Sequence, residues 1–243
     1  AKTGKQTVIK RTLVARTGNR FKLDKPLREN LWQMNEATAS TLFPILSGEF
    51  VEDVHIENLM LDGNRLHNDE LDGNYAGCIF MQDCNRIHIR GVTASSYHGD
   101  GISWQICHDV LVEECLSMDN TGLGMHPGSG SQRTVIRKNV LERNNIGIFF
   151  CWGVQYGLAE KNTIRDNREC GISIGHRDHE NRIRDNEILN SGKVGILFRP
   201  ERGEGFTAVG NRVEHNRIVD SGGEDGVAVD IQGGTSGNTI ANN

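Results

Sequence analysis

The sequence predicts an all-β solenoid built from stacked coils of about 24 residues. Three observations carry that expectation. A glycine-led apolar alternation recurs along the chain, an asparagine recurs in step with it, and the composition suits short strands. Of 243 residues, 36% are hydrophobic, 29 are glycine and only 4 are proline. Such a mixture fits many brief strands separated by turns rather than helices or a disordered tail.

Residues 1 to 50 fit irregular opening turns, because "TVIKRTLVAR" and "NRFKLDKPL" alternate without a repeat. The regular part is expected over 51 to 243, opening at "VEDVHIENLMLDGN". Glycine-led segments then follow: "GISWQIC" from 101, "GLGMHPG" from 122, "GIFFCWG" from 147, "GISIGHR" from 171, "GILFRPE" from 195 and "GVAVDIQ" from 226. Their successive spacings are 21, 25, 24, 24 and 31. A second register, Cys115, Asn139, Asn162, Asn186, Asn216 and Asn243, drifts with it at 24, 23, 24, 30 and 27.

Period-2 alternation sends Ile172 and Ile174, then Ile183 and Ile188, to one face. One such unit cannot bury that face alone, whereas stacked units share a continuous core. Superposed corners bring Asn139, Asn162, Asn186 and Asn216 into a column whose amides can hydrogen-bond from coil to coil. That column is expected to be structural.

With these repeats the chain resembles the right-handed parallel β-helix of the pectin-lyase-like superfamily, over roughly Val51 to Asn243. The resemblance implies three parallel sheets, an inward asparagine ladder and a carbohydrate substrate. It also favours a secreted or periplasmic location. Leucine-rich repeats would need a dense leucine signature, and a calcium-binding nonapeptide roll would need more than the single "GGTSGN". The chain starts at Ala1 and stops inside the strand-like "NTIANN", so truncation at either end is expected. An unfinished last coil would present a strand edge, which invites end-to-end self-association.

Since the interior is filled by apolar stacking, function is expected on outward positions and turns. The fourth residue after each glycine reads Gln105, His126, Cys151, Gly175, Arg199 and Asp230, one file along the outside of a sheet at ~4.8 Å per step. The adjoining turns add Trp152, His176, Arg177 and Asp178, then Glu201 and Arg202. His98 and Asp100 border the same sheet from its other rim. His126 and His176 are the candidate bases and Arg199 the candidate cation, with the remaining residues as substrate contacts. Bases and cations suit removal of a proton beside a sugar carboxylate, whereas hydrolysis needs two flanking carboxylates. A lyase or epimerase on an acidic polysaccharide is therefore expected, with a glycoside hydrolase or a non-catalytic binding or structural β-helix as alternatives.

The polygalacturonase pattern of Asn-Thr-Asp, Gly-Asp-Asp and Gly-His-Gly is absent, and Asp178-His179-Glu180 lacks the proline of the Asp-Pro-His-Glu epimerase motif. No cofactor is expected. A Ca²⁺ loop at Asp69, Glu70 and Asp72 lacks the closing bidentate glutamate, and a metal set of His126, Cys151 and His176 has only suitable ligand types. The net charge of −5 argues against a nucleic-acid partner, and no apolar run approaches a membrane span. Six cysteines without zinc-finger spacing are expected as partly buried thiols.

Overall fold

The computed structural model describes residues 9, 11–28, 39, 44–68, 75–200, 203 and 205–243. The chain divides into two compact units, residues 1–41 and 42–243. In the first unit, the strands Leu13–Thr17 and Arg20–Leu23 form an antiparallel hairpin.

The second unit is a parallel β-helix of three sheets with eight, eight and seven strands. Each coil gives one strand to each sheet in turn. In the coil that opens at Asp100 these are Asp100–Gln105, Leu111–Glu113 and Leu116–Met118. All neighbours within the three sheets pair in parallel, as in Ile172 with Ile196, Ile183 with Val213 and Ile188 with Ile218. The first sheet already begins at Leu46–Glu49, inside the segment expected to be irregular.

The alternation fills the interior as expected. Ile172, Ile174, Ile183 and Ile188 are all fully buried. The recurrent glycine has a role beyond turns. A Cβ on Gly147 would stand 2.5 Å from the Ile164 side chain and from the Gly171 carbonyl, and one on Gly171 would stand 2.5 Å from Ile188. The strand therefore enters the first sheet where the third sheet packs against it too closely for any side chain.

The asparagine column forms a continuous ladder. Asn139 donates its backbone N–H and its Nδ2 to Asn162 Oδ1, both at 3.0 Å. Asn162 repeats this to Asn186, Asn186 to Asn216 and Asn216 to Asn243. Each amide also donates to a carbonyl of the preceding turn, as Asn162 does to Ile136 O at 2.9 Å. Two further ladders, of Asn120 with Asn144 and Asn167, and of Asn181 with Asn211 and Asn238, occupy the other corners. The corners need them because a residue with positive φ precedes each ladder asparagine, such as Lys138, Lys161 and Asp185. There the chain leaves the sheet and exposes backbone groups that only a side chain can satisfy.

All six cysteines are buried and none forms a disulfide. Burial pushes the Cys78 and Cys107 thiols up to about 12, which makes them packing residues rather than nucleophiles.

Replacing Asn162 by Ala strands the Asn139 N–H inside the core and takes the side-chain donor from the Ile136 carbonyl and from the Asn186 amide oxygen, which keeps the backbone N–H of residue 162. At about 1–3 kcal/mol for an unsatisfied buried group and 2–4 °C per kcal/mol, the melting temperature should fall by roughly 2–12 °C. An unchanged melting curve would remove the ladder from the list of stabilising interactions.

Candidate functional site

The first sheet carries two outward columns, two residues apart along each strand. One runs Phe80, Ser103, His126, Phe149, Ser173, Leu197 and Asp230. The other runs Gln82, Gln105, Gly128, Cys151, Gly175 and Arg199. The single file expected from the sequence thus merges two. The expected spacing started from Gly122, but Gly124 is the partner of Gly101, since Met125 pairs with Ile102. His126 and Asp230 therefore lie two residues earlier than the rest of that file. A slip of two preserves which face a side chain takes, so both still point outward.

Outward does not mean solvated here. Gln105 and His126 are each 3% exposed and Ser103 is fully buried. His126 is held by Asp100, which begins the preceding strand of the sheet. Its Nδ1 lies 2.8 Å from Asp100 Oδ2, while Asp100 Oδ1 accepts the Leu123 N–H at 2.9 Å. The imidazole packs edge-on against Phe149, with ring centroids 5.5 Å apart. Among the described residues, His126 Nε2 and Gln105 Oε1 have no hydrogen-bond partner although both are buried. The Gln105 amide lies over Gly128, where a Cβ would stand 2.3 Å from its oxygen, and its Nε2 donates to Ser103 Oγ at 3.2 Å.

Arg199 serves the fold rather than an open groove. Its guanidinium lies over the Phe149 ring at 4.2 Å and donates to Ser173 Oγ at 2.7 Å and to the Phe150 carbonyl at 2.6 Å. It also faces Asp178 at 3.3 Å. Asp178 is not on the outward face. It lies fully buried at the corner between the first and second sheets, in line with Ser131 and Val154. There Oδ1 accepts the Gly153 and Val154 N–H groups at 3.1 and 2.9 Å, and Oδ2 accepts Gly175 N–H at 2.8 Å. Burial pushes its carboxyl up to about 7, against the pull of Arg199 and of those amides.

His126, His176 and Arg199 come from three different coils. Three strand steps separate the rungs of His126 and Arg199, about 14 Å at the sheet spacing, and the Phe149 ring stands between their side chains. His176 is buried in the turn beyond Gly175, with φ of 47°, and its ring is 5.4 Å from Trp152. Trp152 packs on Phe206 in turn, and Arg177 lies over that ring at 3.9 Å. Asp230 accepts from Gln232 at 2.8 Å, and His98 Nδ1 is 2.7 Å from the Asn68 carbonyl oxygen. Cys151 is buried beside Gly128. Glu201, Arg202, Asp69, Glu70 and Asp72 lie outside the described residues. His126, Cys151 and His176 are not grouped as metal ligands; among the described residues that grouping occurs at His55, Glu57 and His88.

The expected file passed over Ser103, Ser173 and Phe149. Aligning the buried Ile102, Met125, Ile148 and Ile172 first, rather than the glycines, would have found them. A separate surface groove of about 370 Å³ lies on the second sheet, lined by Tyr156, Arg182, Arg184 and Arg212.

The family model described as "Right handed beta helix region" matches residues 77–243. The chain belongs to this family. No curated protein sequence matches it. Among solved structures, this β-helix is similar to an alginate lyase from Paenibacillus sp. str. FPU-7, with a TM-score of 0.50 and 11% identity over 75% of this chain and 78% of the lyase. It is also similar to a family 28 exopolygalacturonase of Yersinia enterocolitica, with a TM-score of 0.50 and 13% identity. That match covers 69% of this chain but 34% of the exopolygalacturonase, about a third of its length. At such identities the likeness concerns the fold.

Asp178 gives the site a pH signature. The folded carboxyl holds its proton to about pH 7, whereas an unperturbed one releases it near 3.8. The folded state thus binds more protons between those values. The stabilising contribution is complete below about pH 3.8 and is lost as pH rises to about 7. Relative to Asp178→Asn, which does not titrate, the unsubstituted chain should lose melting temperature between pH 4 and 7. Parallel curves for the two proteins would contradict this.

Proposed function

We propose that this β-helix acts on a polysaccharide and that His126 is its proton-abstracting base. One observation carries the reading: a carboxylate holds one ring nitrogen of His126 while the other has no hydrogen-bond partner among the described residues. With Nδ1–H donated to Asp100, Nε2 carries the lone pair. Asp100 also stabilises the imidazolium that forms when Nε2 takes a proton, which is the arrangement of a base oriented by an acid.

Chemistry then narrows the reaction. A glycoside hydrolase needs two carboxyl groups about 5–9.5 Å apart. Asp230, in the His126 column, is four strand steps away, about 19 Å by sheet spacing, and Asp178 is buried in a corner. Proton abstraction from the carbon beside a uronate carboxylate needs only one base at the reacting atom. The proton passes to Nε2, the electron pair forms a carbon–carbon double bond as the bond to the glycosidic oxygen breaks, and the departing oxygen takes a proton from solvent water or from the imidazolium. Return of a proton to the opposite face would give an epimer instead. The fold likeness to proteins named an alginate lyase and an exopolygalacturonase supports the substrate class. Arg199 does not neutralise the substrate carboxylate in this reading, because it is engaged with Ser173, Phe150 and Asp178.

A second reading has its own observation. His126 and Asp100 are each 3% exposed, which suits a polar strap between adjacent strands of a non-catalytic β-helix. Catalysis requires that this face open to the polymer.

Incubation with alginate, pectate, glycosaminoglycans and neutral glycans separates the two, reading unsaturated product by absorbance, reducing ends, and epimer ratio by NMR. His126→Gln and Asp100→Asn should each cut turnover about 10²–10⁴-fold, the usual contribution of a positioned base, with folding retained. No product from any polymer, alongside a large loss of melting temperature in both variants, would establish the strap.

A further inference from the structure

The second sheet carries a feature that the His126 reading does not use. His55 and Glu57 share one face of the strand Glu52–Glu57, two residues apart, and His88 on Asn85–Arg90 is the register partner of His55. The period of two and the parallel register thus place two imidazoles and a carboxylate on one outward patch. One ligand atom from each lies within 4.8 Å of the others. The two imidazole centroids are 5.3 Å apart, and His55 Nδ1 is 3.9 Å from Glu57 Oε1. Ligands about 2.0–2.1 Å from a tetrahedral ion stand roughly 3.3 Å from each other. Closing that difference takes small rotations of side chains that are mostly solvated: His55 is 65% exposed and Glu57 43%.

The surroundings favour a cation. His88 Nε2 lies 2.9 Å from Glu113 Oε1, and Arg137 holds the other Glu113 oxygen at 2.8 Å. A carboxylate on one ring nitrogen fixes the ring, leaves the other nitrogen for a metal and raises its basicity. The nearest competitor for Glu57 is Arg90, its register partner. Arg90 donates instead to Glu114 at 3.0 Å.

We infer that His55, Glu57 and His88 form a binding site for a borderline divalent transition metal such as Zn²⁺, with water completing its coordination. Two imidazoles and one carboxylate suit Zn²⁺, Ni²⁺ or Co²⁺, whereas Ca²⁺ prefers six to eight oxygens. Glu52–Glu57 is the end strand of the eight in its sheet. The ion therefore ties this strand to the next through side chains, adding to the backbone ladder where, among the described residues, one neighbour pairs.

The test uses the full chain without a histidine tag, titrated calorimetrically with ZnCl₂ and separately with CaCl₂. One saturable Zn²⁺ site is expected, with slower hydrogen exchange over residues 52–57. His55→Ala, at an exposed position that leaves the fold intact, should weaken Zn²⁺ at least tenfold. Glu113→Gln should weaken it about 10- to 100-fold through the orientation of His88, while His215→Ala should leave it unchanged. Zn²⁺ affinity unaffected by both His55→Ala and His88→Ala, or equal affinity for Ca²⁺ at these residues, overturns the inference.

Discussion

Three parallel hydrogen-bond ladders run through this protein, and all three must advance by the same step, ~4.8 Å per coil. That shared step is the constraint on which the remaining structure rests. A coil can lengthen only where it leaves the stack, and the interval between Asn186 and Asn216 is 30 residues against 24 in the coil before it. At the corners the chain must turn through positive φ while leaving no buried amide unpaired. The asparagine ladders solve both problems, because one carboxamide accepts from the N–H and the side chain of the coil before it. Inward glycines such as Gly147 and Gly171 meet the same demand sterically, letting two sheets approach where a methyl group has no room.

Strict superposition also organises the outside. On the second sheet one outward column reads Glu57, Arg90, Glu113, Arg137, Glu160, Arg184 and Glu214. Alternating signs one strand step apart allow pairs such as Arg137–Glu113 at 2.8 Å and Arg184–Glu160 at 2.7 Å. Each exposed pair contributes about 0–1 kcal/mol, yet the alternation disfavours any slip that would set like charges opposite. The neighbouring outward column, two residues earlier on each strand, carries His55 and His88 at its first two coils, beside Glu57.

The first sheet uses its outward positions differently. Serine, histidine, phenylalanine and glutamine there are buried rather than solvated, so polar atoms on that face must find partners or incur the cost of desolvation. Nη1 and Nη2 of Arg199 meet that requirement at Ser173 Oγ and the Phe150 carbonyl. His126 Nε2 does not. A buried nitrogen that forgoes a hydrogen bond, on a ring fixed by Asp100, is the place where stability and chemistry pull apart. The carboxylate that holds Nδ1 is what sets the His126 ring apart from that of His176.

The sequence by itself determined the coil length, the inward apolar stacks and the ladder of Asn139, Asn162, Asn186 and Asn216. Each is a local pattern repeated at one period, and repetition makes local preference additive along the stack. It also determined that His126 and Asp230 face outward, because side-chain parity survives a shift of two residues. Which residues stand beside them was decided only by tertiary structure. Gly122 and Gly124 fit the same pattern two residues apart, and the stacking of Met125 on Ile102 chooses between them. His176, Arg177 and Asp178 read as turn residues beside the outward file, yet the corner turns Asp178 inward onto three backbone amides and buries His176. Orientation at a turn depends on φ and on which amides need an acceptor, and neither follows a period that a sequence displays.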